Sequence, residues 1–295
     1  MHLSASAGLS YLRFIMISTI VVCGSGTMGS GIAQTAARSG FNTILYDLNE
    51  TMLDKARSAI EKNLSSLVDK QKLSEAEKHE TMMRLKFEYD IKNCIGDLII
   101  EAIVEKTEAK VTLFNQLAEI NSDKTIFATN TSSLSVTNIA KDVAYPERVC
   151  GMHFFNPATL MKLVEVVKTN ISNEDVVKTV YDVARQMGKT PVLCKDAPGF
   201  IVNHVARPYY LEALKLMEDG IADAETVDAV MEASGFKMGP FKLMDLIGND
   251  INYTVSCSVY DAMGKPERLK PSFIQKEKVE KGELGRKSGK GYYNY

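Results

Sequence analysis

His153 and Glu165 are the residues in this sequence best suited to acid–base chemistry. They bound the segment HFFNPATLMKLVE at 153–165. An imidazole titrates near neutral pH. A carboxylate bonded to one ring nitrogen fixes the tautomer and leaves the other nitrogen free as a base. Asn156-Pro157 marks a turn, and the apolar run at 160–167 reads as a strand. A reversal there would bring Glu165 back to His153. A histidine next to two phenylalanines is also what a packed core histidine looks like, so this segment needs the rest of the chain to give it meaning.

The second stretch with chemistry is GSGTMG at 24–29. A β-branched run at 18–23 precedes it, an amphipathic helical segment at 31–39 follows, and Gly40 should end that helix. Residues 42–46 read as another strand, with Asp47 at its end. Strand, glycine turn, helix, strand and acid form the dinucleotide-binding order, and each residue has a task in it. Gly24 permits the tight turn, Gly26 lets the main chain approach a pyrophosphate, and Gly29 lets helix and strand pack closely. Thr27 and Met28 belong to the same cofactor-binding turn. The helix N-terminus offers N–H groups and a positive dipole end. Asp47 can accept both ribose hydroxyls of an adenosine. Its charge would repel a 2′-phosphate, and no Lys or Arg follows before Lys55, so NAD is expected over NADP.

These groups need a frame. Residues 97–102 and 125–129 read as buried strands, 105–120 as a helix, and 149–153 as the strand that delivers His153. Alternating strands and helices imply a mostly parallel, doubly wound Rossmann-type sheet, which binds ligands beyond the carboxyl ends of its strands. The glycine turn, Asp47, Glu105, Ser132 and His153 all follow predicted strands, so one rim should gather them. Residues 50–86 are polar and helical in pattern, with Met52, Ala56, Ile60, Leu64 and Leu67 spaced by three and four, as in an inserted helical pair. Lys62, Lys70 and Lys72 make its solvated face or an anion grip, and His79 should face solvent. A helix at 173–187 and a short strand at 191–194 close the first domain. Asp196-Ala197-Pro198-Gly199 marks the boundary. Beyond it helices are expected at 200–219, 223–234, 240–247, 250–262 and 272–281, with Pro208 kinking the first and the closing YYNY docking back. The expected fold is therefore α/β with an inserted helical pair, followed by an all-α C-terminal domain. The division is 16–196 for NAD binding and 197–295 for the substrate site and dimerisation.

Composition narrows the function classes. The chain has 295 residues, 45% of them apolar, and a formal net charge of −2. That suits two domains of ordinary size and gives no nucleic-acid footprint. The run at 14–23 is too short to span a membrane. Five cysteines and four histidines show no metal-ligand or redox spacing, so no metal and a reducing, cytoplasmic setting are expected. Residues 1–15 carry one Arg up to position 14, no acid, and several Ser, Ala and Leu. They read as a dispensable extension before Met16. Their alternative is a short presequence to the mitochondrial matrix, although such peptides usually carry several Arg.

GSGTMG, EAIVEK, ATNTSSLS, GMHFFNPATLMKLVEVV, CKDAPGFIVN, MGPF, DLIG and GRKSGKGYYNY occur in this order. Together they resemble the 3-hydroxyacyl-CoA dehydrogenase family, most closely its short 3-hydroxybutyryl-CoA type, over about residues 16–295. The resemblance implies reversible NAD-dependent oxidation of 3-hydroxyacyl-CoA to 3-oxoacyl-CoA in fatty acid or butanoate metabolism, by a homodimer. It puts the catalytic histidine on His153 and its glutamate on Glu165. Ser132 and Asn203 become the residues that hold substrate oxygens. Cofactor contacts fall on Gly24, Gly26, Gly29, Asp47, Glu105, Lys110, Ser132, Asn156 and Lys287, and a coenzyme A contact on Lys70. Departures from the family pattern are Asn63 for a nearby serine, ATL at 158–160 where a second proline is usual, His204 after Asn203, and Lys242 and Asn249 in MGPF…DLIG. All of these but Asn63 should alter pocket walls and the subunit contact.

Two other readings stay open on sequence. The gulonate-dehydrogenase and lambda-crystallin branch shares the His-Glu design, whereas phosphogluconate-type relatives carry a catalytic Lys where this chain has Asn203. A non-enzymatic use of the scaffold would need none of His153, Glu165, Ser132 and Asn203 together.

Overall fold

The computed structural model describes residues 16–295; the expectations for residues 1–15 lie outside them. Contacts divide the chain into two compact units. One holds the residues up to Val104 with Glu108–Asn130 and Ala140–Leu193; the other holds Glu105–Thr107, Thr131–Ile139 and Cys194–Tyr295. The second unit thus takes in two loops that sequence order assigned to the first domain. The reason is bonding: Asp196 Oδ2 accepts from Ser135 Oγ at 2.7 Å and Thr137 N at 2.8 Å.

The first unit is built on an eight-stranded sheet. In chain order the elements up to the last strand are β1 (Thr19–Cys23), α1 (Thr27–Arg38), β2 (Asn42–Tyr46), α2 (Glu50–Asp69), α3 (Glu75–Met83), β3 (Leu85–Glu88), β4 (Leu98–Glu101), α4 (Thr107–Ile120), β5 (Ile126–Thr129), α5 (Val136–Ala140), which falls almost wholly in the second unit, β6 (Val149–Phe154), β7 (Leu163–Lys168), α6 (Glu174–Gln186) and β8 (Thr190–Lys195). The strands lie in the order β3-β2-β1-β4-β5-β6-β7-β8. Pairing from β3 through β6 is parallel, and β6 and β7 run antiparallel. The Rossmann-type frame expected from the alternating pattern is present.

Local chemistry accounts for the elements. β1, β4 and β5 are short runs buried along nearly their whole length, as strands covered on both faces must be. On α1, Ile32, Ala33, Ala36 and Ala37 are fully buried, and small side chains let this helix lie close to the sheet. α2 buries Leu53, Ala56, Ile60 and Leu64, one helical stripe, and Asn49 caps it by accepting from Met52 N at 3.3 Å. α3 opens with a reciprocal capping box between Ser74 and Glu77.

Three boundaries differ from the sequence expectation. α1 begins at Thr27, directly after Gly26, rather than at 31. The stretch expected to be wholly helical ends in β3, which pairs with β2. LKFE is too short and too charged to carry an alternating pattern; main-chain pairing and Arg57 stacked 4.3 Å over Phe87 define it instead. The strand expected from 160 begins at Leu163, because Leu160 and Met161 bond back to Pro157 O and complete a turn.

The second unit carries α7 (Val202–Glu218), α8 (Ala224–Ala233), α9 (Pro240–Ile247), α10 (Asn249–Ala262) and α11 (Phe273–Glu280). α7 runs through Pro208 as one helix. Tyr210, Leu211, Leu214, Val227, Phe241 and Met244 form its core. The terminal tyrosines dock, and buried carboxylates do much of the holding. Asp245 accepts from Tyr292 N and Tyr293 N, both at 3.0 Å, and Asp228 from Tyr293 Oη at 2.8 Å.

Gly29 shows how tightly the nucleotide turn is built. A Cβ there would lie 1.7 Å from the Gly24 carbonyl oxygen. Gly29→Ala should therefore cost about 1–3 kcal/mol of stability, the scale of overpacking, and weaken NADH binding by displacing the turn. Chemical denaturation and fluorescence titration check both. Wild-type values in the two measurements would show that the turn yields without loss.

Candidate active site

His153 is the penultimate residue of β6, and Glu165 stands directly opposite it in the antiparallel register. Their Nδ1 and Oε2 atoms are 2.7 Å apart, with His153 5% and Glu165 0% exposed. With the carboxylate accepting, Nδ1 carries the proton, and this contact fixes the tautomer of the ring. The Phe155 ring lies 4.5 Å from the imidazole, centroid to centroid. A buried carboxylate is tolerated only with a partner of this kind.

Asn130, which sequence reasoning passed over, fixes the end of β6. Its Oδ1 accepts from Phe154 N at 2.9 Å, and its own N donates to Glu101 O at 2.8 Å. An asparagine following a buried strand was visible in the sequence, but its partner 24 residues away was not.

The glycine turn is shaped for a phosphate. Gly24 has φ +98°, and a Cβ there would sit 2.6 Å from Ala102 O. Above Gly26 nothing lies within 4 Å of where a Cβ would be. Gly26 provides no side-chain cap for α1, so the first N–H groups of that helix face this open side. Thr27 and Met28 form the first turn of the helix. Asp47 is anchored beside it: Oδ2 accepts from Ser25 N at 2.8 Å and Ser25 Oγ at 2.7 Å, and Oδ1 from Asn49 N at 3.0 Å. Close approach at Gly24 and Gly29, open space at Gly26 and an acid at the end of β2 fit a dinucleotide.

Lys110, expected at the cofactor, is 1% exposed and its amine bonds Glu101 Oε1 at 2.6 Å. Glu101 also accepts from Ile103 N at 2.8 Å and Thr129 Oγ1 at 2.6 Å. Burial pushes the Glu101 carboxyl up, and Lys110 with the two hydrogen bonds opposes that. The pair fixes the loop whose Ala102 carbonyl faces Gly24. EAIVEK shows an acid and a base without showing that the first turn of α4 returns the base to the strand end.

Other expected site residues fall in the second unit. Glu105 Oε1 accepts from Thr131 Oγ1, from Ser132 N at 3.2 Å and from Ser133 Oγ at 3.2 Å, and so organises the NTSS loop. Asn203 Nδ2 donates to Ser132 O at 3.4 Å, so these two residues do meet. Lys287 Nζ lies 2.6 Å from Asp250 Oδ1. In the first unit Asn156 is exposed, and Lys70 is exposed at the C-terminal end of α2. Exposed His79 fits its expectation, and His204 Nδ1 lies 3.1 Å from Pro198 O.

Residues 19–197 match the family model described as the 3-hydroxyacyl-CoA dehydrogenase NAD binding domain, and residues 199–295 match the 3-hydroxyacyl-CoA dehydrogenase C-terminal domain. The chain belongs to the 3-hydroxyacyl-CoA dehydrogenase family. Among its relatives is the 3-hydroxyadipyl-CoA dehydrogenase of Escherichia coli, 46% identical over 95% of this chain and 60% of that protein. The chain thus spans about three fifths of that relative's length. The mitochondrial hydroxyacyl-coenzyme A dehydrogenase of Sus scrofa is 37% identical over 99% of this chain and 96% of the relative. The crystal structure of an (S)-3-hydroxybutyryl-CoA dehydrogenase from Ralstonia eutropha superposes with a TM-score of 0.90 at 34% identity, covering 95% of this chain and 99% of that one. NAD is the cofactor of the matched 3-hydroxyacyl-CoA dehydrogenase domain, in line with Asp47.

If His153 is the base and Glu165 orients it, the two act as a unit. His153→Gln should lower kcat by about 10²–10⁴ and leave NADH affinity nearly unchanged. Glu165→Gln should also lower kcat, and the double variant should be no worse than the worse single. A double-mutant cycle on kcat with fluorescence titration of NADH reads this out. Near-normal turnover by His153→Gln would refute the base, and simple multiplication of the two effects would refute the coupling.

Proposed function

We propose that this protein oxidises 3-hydroxyacyl-CoA thioesters to 3-oxoacyl-CoA with NAD, reversibly. The favoured substrate is short-chain, of the 3-hydroxybutyryl-CoA type, within fatty acid or butanoate metabolism. The observation that carries the reading is the 2.7 Å His153–Glu165 pair on a strand of an NAD-binding sheet. Oxidation of a secondary alcohol requires loss of a proton and a hydride. His153 Nε2 takes the proton of the 3-hydroxyl, and the imidazolium that results sits against the Glu165 carboxylate. Bound NAD supplies the hydride acceptor. Ser132 and Asn203 take, by family resemblance, the task of holding substrate oxygens. In the reverse direction His153 returns the proton.

A slot in the first unit supports the thioester part of the reading. It is a cavity of about 340 Å³, within the usual range of ligand sites. Ser25, Thr27, Ser30 and Gln34 line one side, Lys55, Ala59 and Asn63 of α2 another, and Pro157, Ala158 and Thr159 a third. The last of these sides begins four residues after His153, so an arm leaving the reacting carbon has a route along it. Asn63, where a serine is usual, is on this wall, which makes it and Lys55 nearer candidates for the arm than Lys70. Five free cysteines suit a reducing compartment, the cytoplasm or the mitochondrial matrix. No helix among the described residues is long and apolar enough to cross a membrane.

Acetoacetyl-CoA, 3-oxoadipyl-CoA and free acetoacetate should be compared at fixed NADH. Acetoacetyl-CoA should give the highest kcat/KM and the free acid a value lower by orders of magnitude. Equal use of the free acid would overturn the thioester reading, and preference for 3-oxoadipyl-CoA would overturn the short-chain one.

The reading includes a homodimer formed through the helical unit. Ile201, Val205, Ile221, Val230, Phe236, Ile251 and Phe273 are exposed there, which supports an association surface. Light scattering at micromolar concentration should give twice the chain mass; a monomer would refute the proposal.

A further inference from the structure

The turn at 157–161 is held in an unusual way. Its carbonyls could face water, as those of a surface turn normally do. Instead Lys189, at the corner between α6 and β8, sends a buried amine to two of them. Its Nζ donates to Ala158 O, and to Met161 O at 2.8 Å, with the residue only 8% exposed. No carboxylate bonds to it among the described residues. The charged groups that act on it are Lys162, at the end of the same turn, and Arg38, at the end of α1; both are cations. Burial, with those two charges, pushes its amine down to about 8. A lysine buried beside like charges is a costly way to fix a turn. The position of that turn is therefore the point of interest.

The turn forms one wall of the slot between α1 and α2. Ala158 lines it and lies against α1, where a Cβ on Gly31 would come within 3.2 Å of the Ala158 Cβ, and Thr35 Oγ1 reaches Ala158 O at 3.5 Å. Thr190 N, next to Lys189, donates to Lys162 O at 2.8 Å and pins the far end of the turn. The α6–β8 corner thus grips the segment that leaves the His153 strand and lines the slot.

We propose that Lys189 is a positioning residue for the thioester substrate: its ammonium holds the 157–161 turn at the setting in which the slot admits the arm. The inference rests on the reading of the slot given above. The charged amine holds its two carbonyls best. Once neutral it keeps donors but loses the charge that strengthens them. The turn therefore loosens as pH rises through about 8, whereas an arginine in its place stays charged.

The test uses the full chain and the variants Lys189→Met and Lys189→Arg. Hydrogen exchange at Leu160 and Met161, whose amides bond to Pro157 O, reports the turn without reference to any substrate. Lys189→Met should exchange faster than wild type there, and wild type should approach it above pH 8 after correction for intrinsic rates. The KM for acetoacetyl-CoA should rise roughly tenfold in Lys189→Met, the scale of one lost charge-assisted hydrogen bond, with kcat within about twofold. Lys189→Arg should restore KM and keep it flat with pH, while the wild-type KM climbs above pH 8. Unchanged exchange at 160 and 161 in Lys189→Met overturns the clamp. Altered exchange with an unchanged KM leaves Lys189 a purely structural residue and overturns the proposal. If the wild type fails to reduce acetoacetyl-CoA, the substrate reading falls, and the exchange measurement still decides the clamp. If Lys189→Met does not fold, the wild-type and Lys189→Arg pH profiles decide: coincident profiles refute the proposal.

Discussion

The pairing of β6 with β7 is the constraint on which the site depends. It puts His153 opposite Glu165 and buries both. A carboxylate with no solvent around it would be very costly as an unpaired charge, and an imidazole with both nitrogens buried would lack a defined tautomer. Each removes the other's difficulty. Because side chains alternate across a strand, a one-residue slip would send the two to opposite faces. The register is therefore what keeps the pair together. Neighbouring bonds defend it: Asn130 fixes the Phe154 amide, and Lys189 with Thr190 fixes the turn that joins the two strands.

Carboxylates recur as internal fasteners throughout the molecule. Glu101 gathers Lys110, Thr129 and the Ile103 amide at the end of β4. Glu105 gathers the NTSS loop. Asp228 takes the amides of Phe241 and Lys242, each at 2.9 Å, and the Tyr293 hydroxyl, while Asp245 takes the amides of the closing tyrosines. Each accepts several charge-assisted hydrogen bonds, at least one of them from a main-chain amide. This explains how loops without apolar content are held firmly enough to carry polar site residues.

The departures from the family pattern gain meaning in this light. Asn249 is fully buried, with Nδ2 on Asp245 Oδ1 at 2.9 Å and on Glu283 O at 3.2 Å. It belongs to the network under the C-terminal tail rather than to a pocket wall. Lys242 pairs with Glu232 at 2.9 Å on the surface of the helical unit. Ala158 and Thr159, part of the stretch where a second proline is usual, line the slot beside the nucleotide turn. That substitution is therefore the one that borders a candidate ligand site.

Much of this was legible in the sequence. The glycine turn, the buried strands and the helical stripes are local patterns, because a strand's period and a helix's period are set by the backbone itself. His153 and Glu165 could be named because an Asn-Pro turn between two apolar runs implies a reversal. The exceptions share a cause. β3 has four residues and two charges, and only β2 beside it makes it a strand. Lys110 reads as a free cation until α4 folds it onto Glu101. Asn130 and Lys189 act on main-chain groups 24 and 28–31 residues away, which carry no side-chain signature. Residue type and short-range spacing were enough to nominate the residues that could do chemistry. Which amine stays buried, which loop is clamped and which acid is already occupied were decided by the tertiary structure, because hydrogen bonds to the main chain depend on where the chain returns and leave no trace in its order.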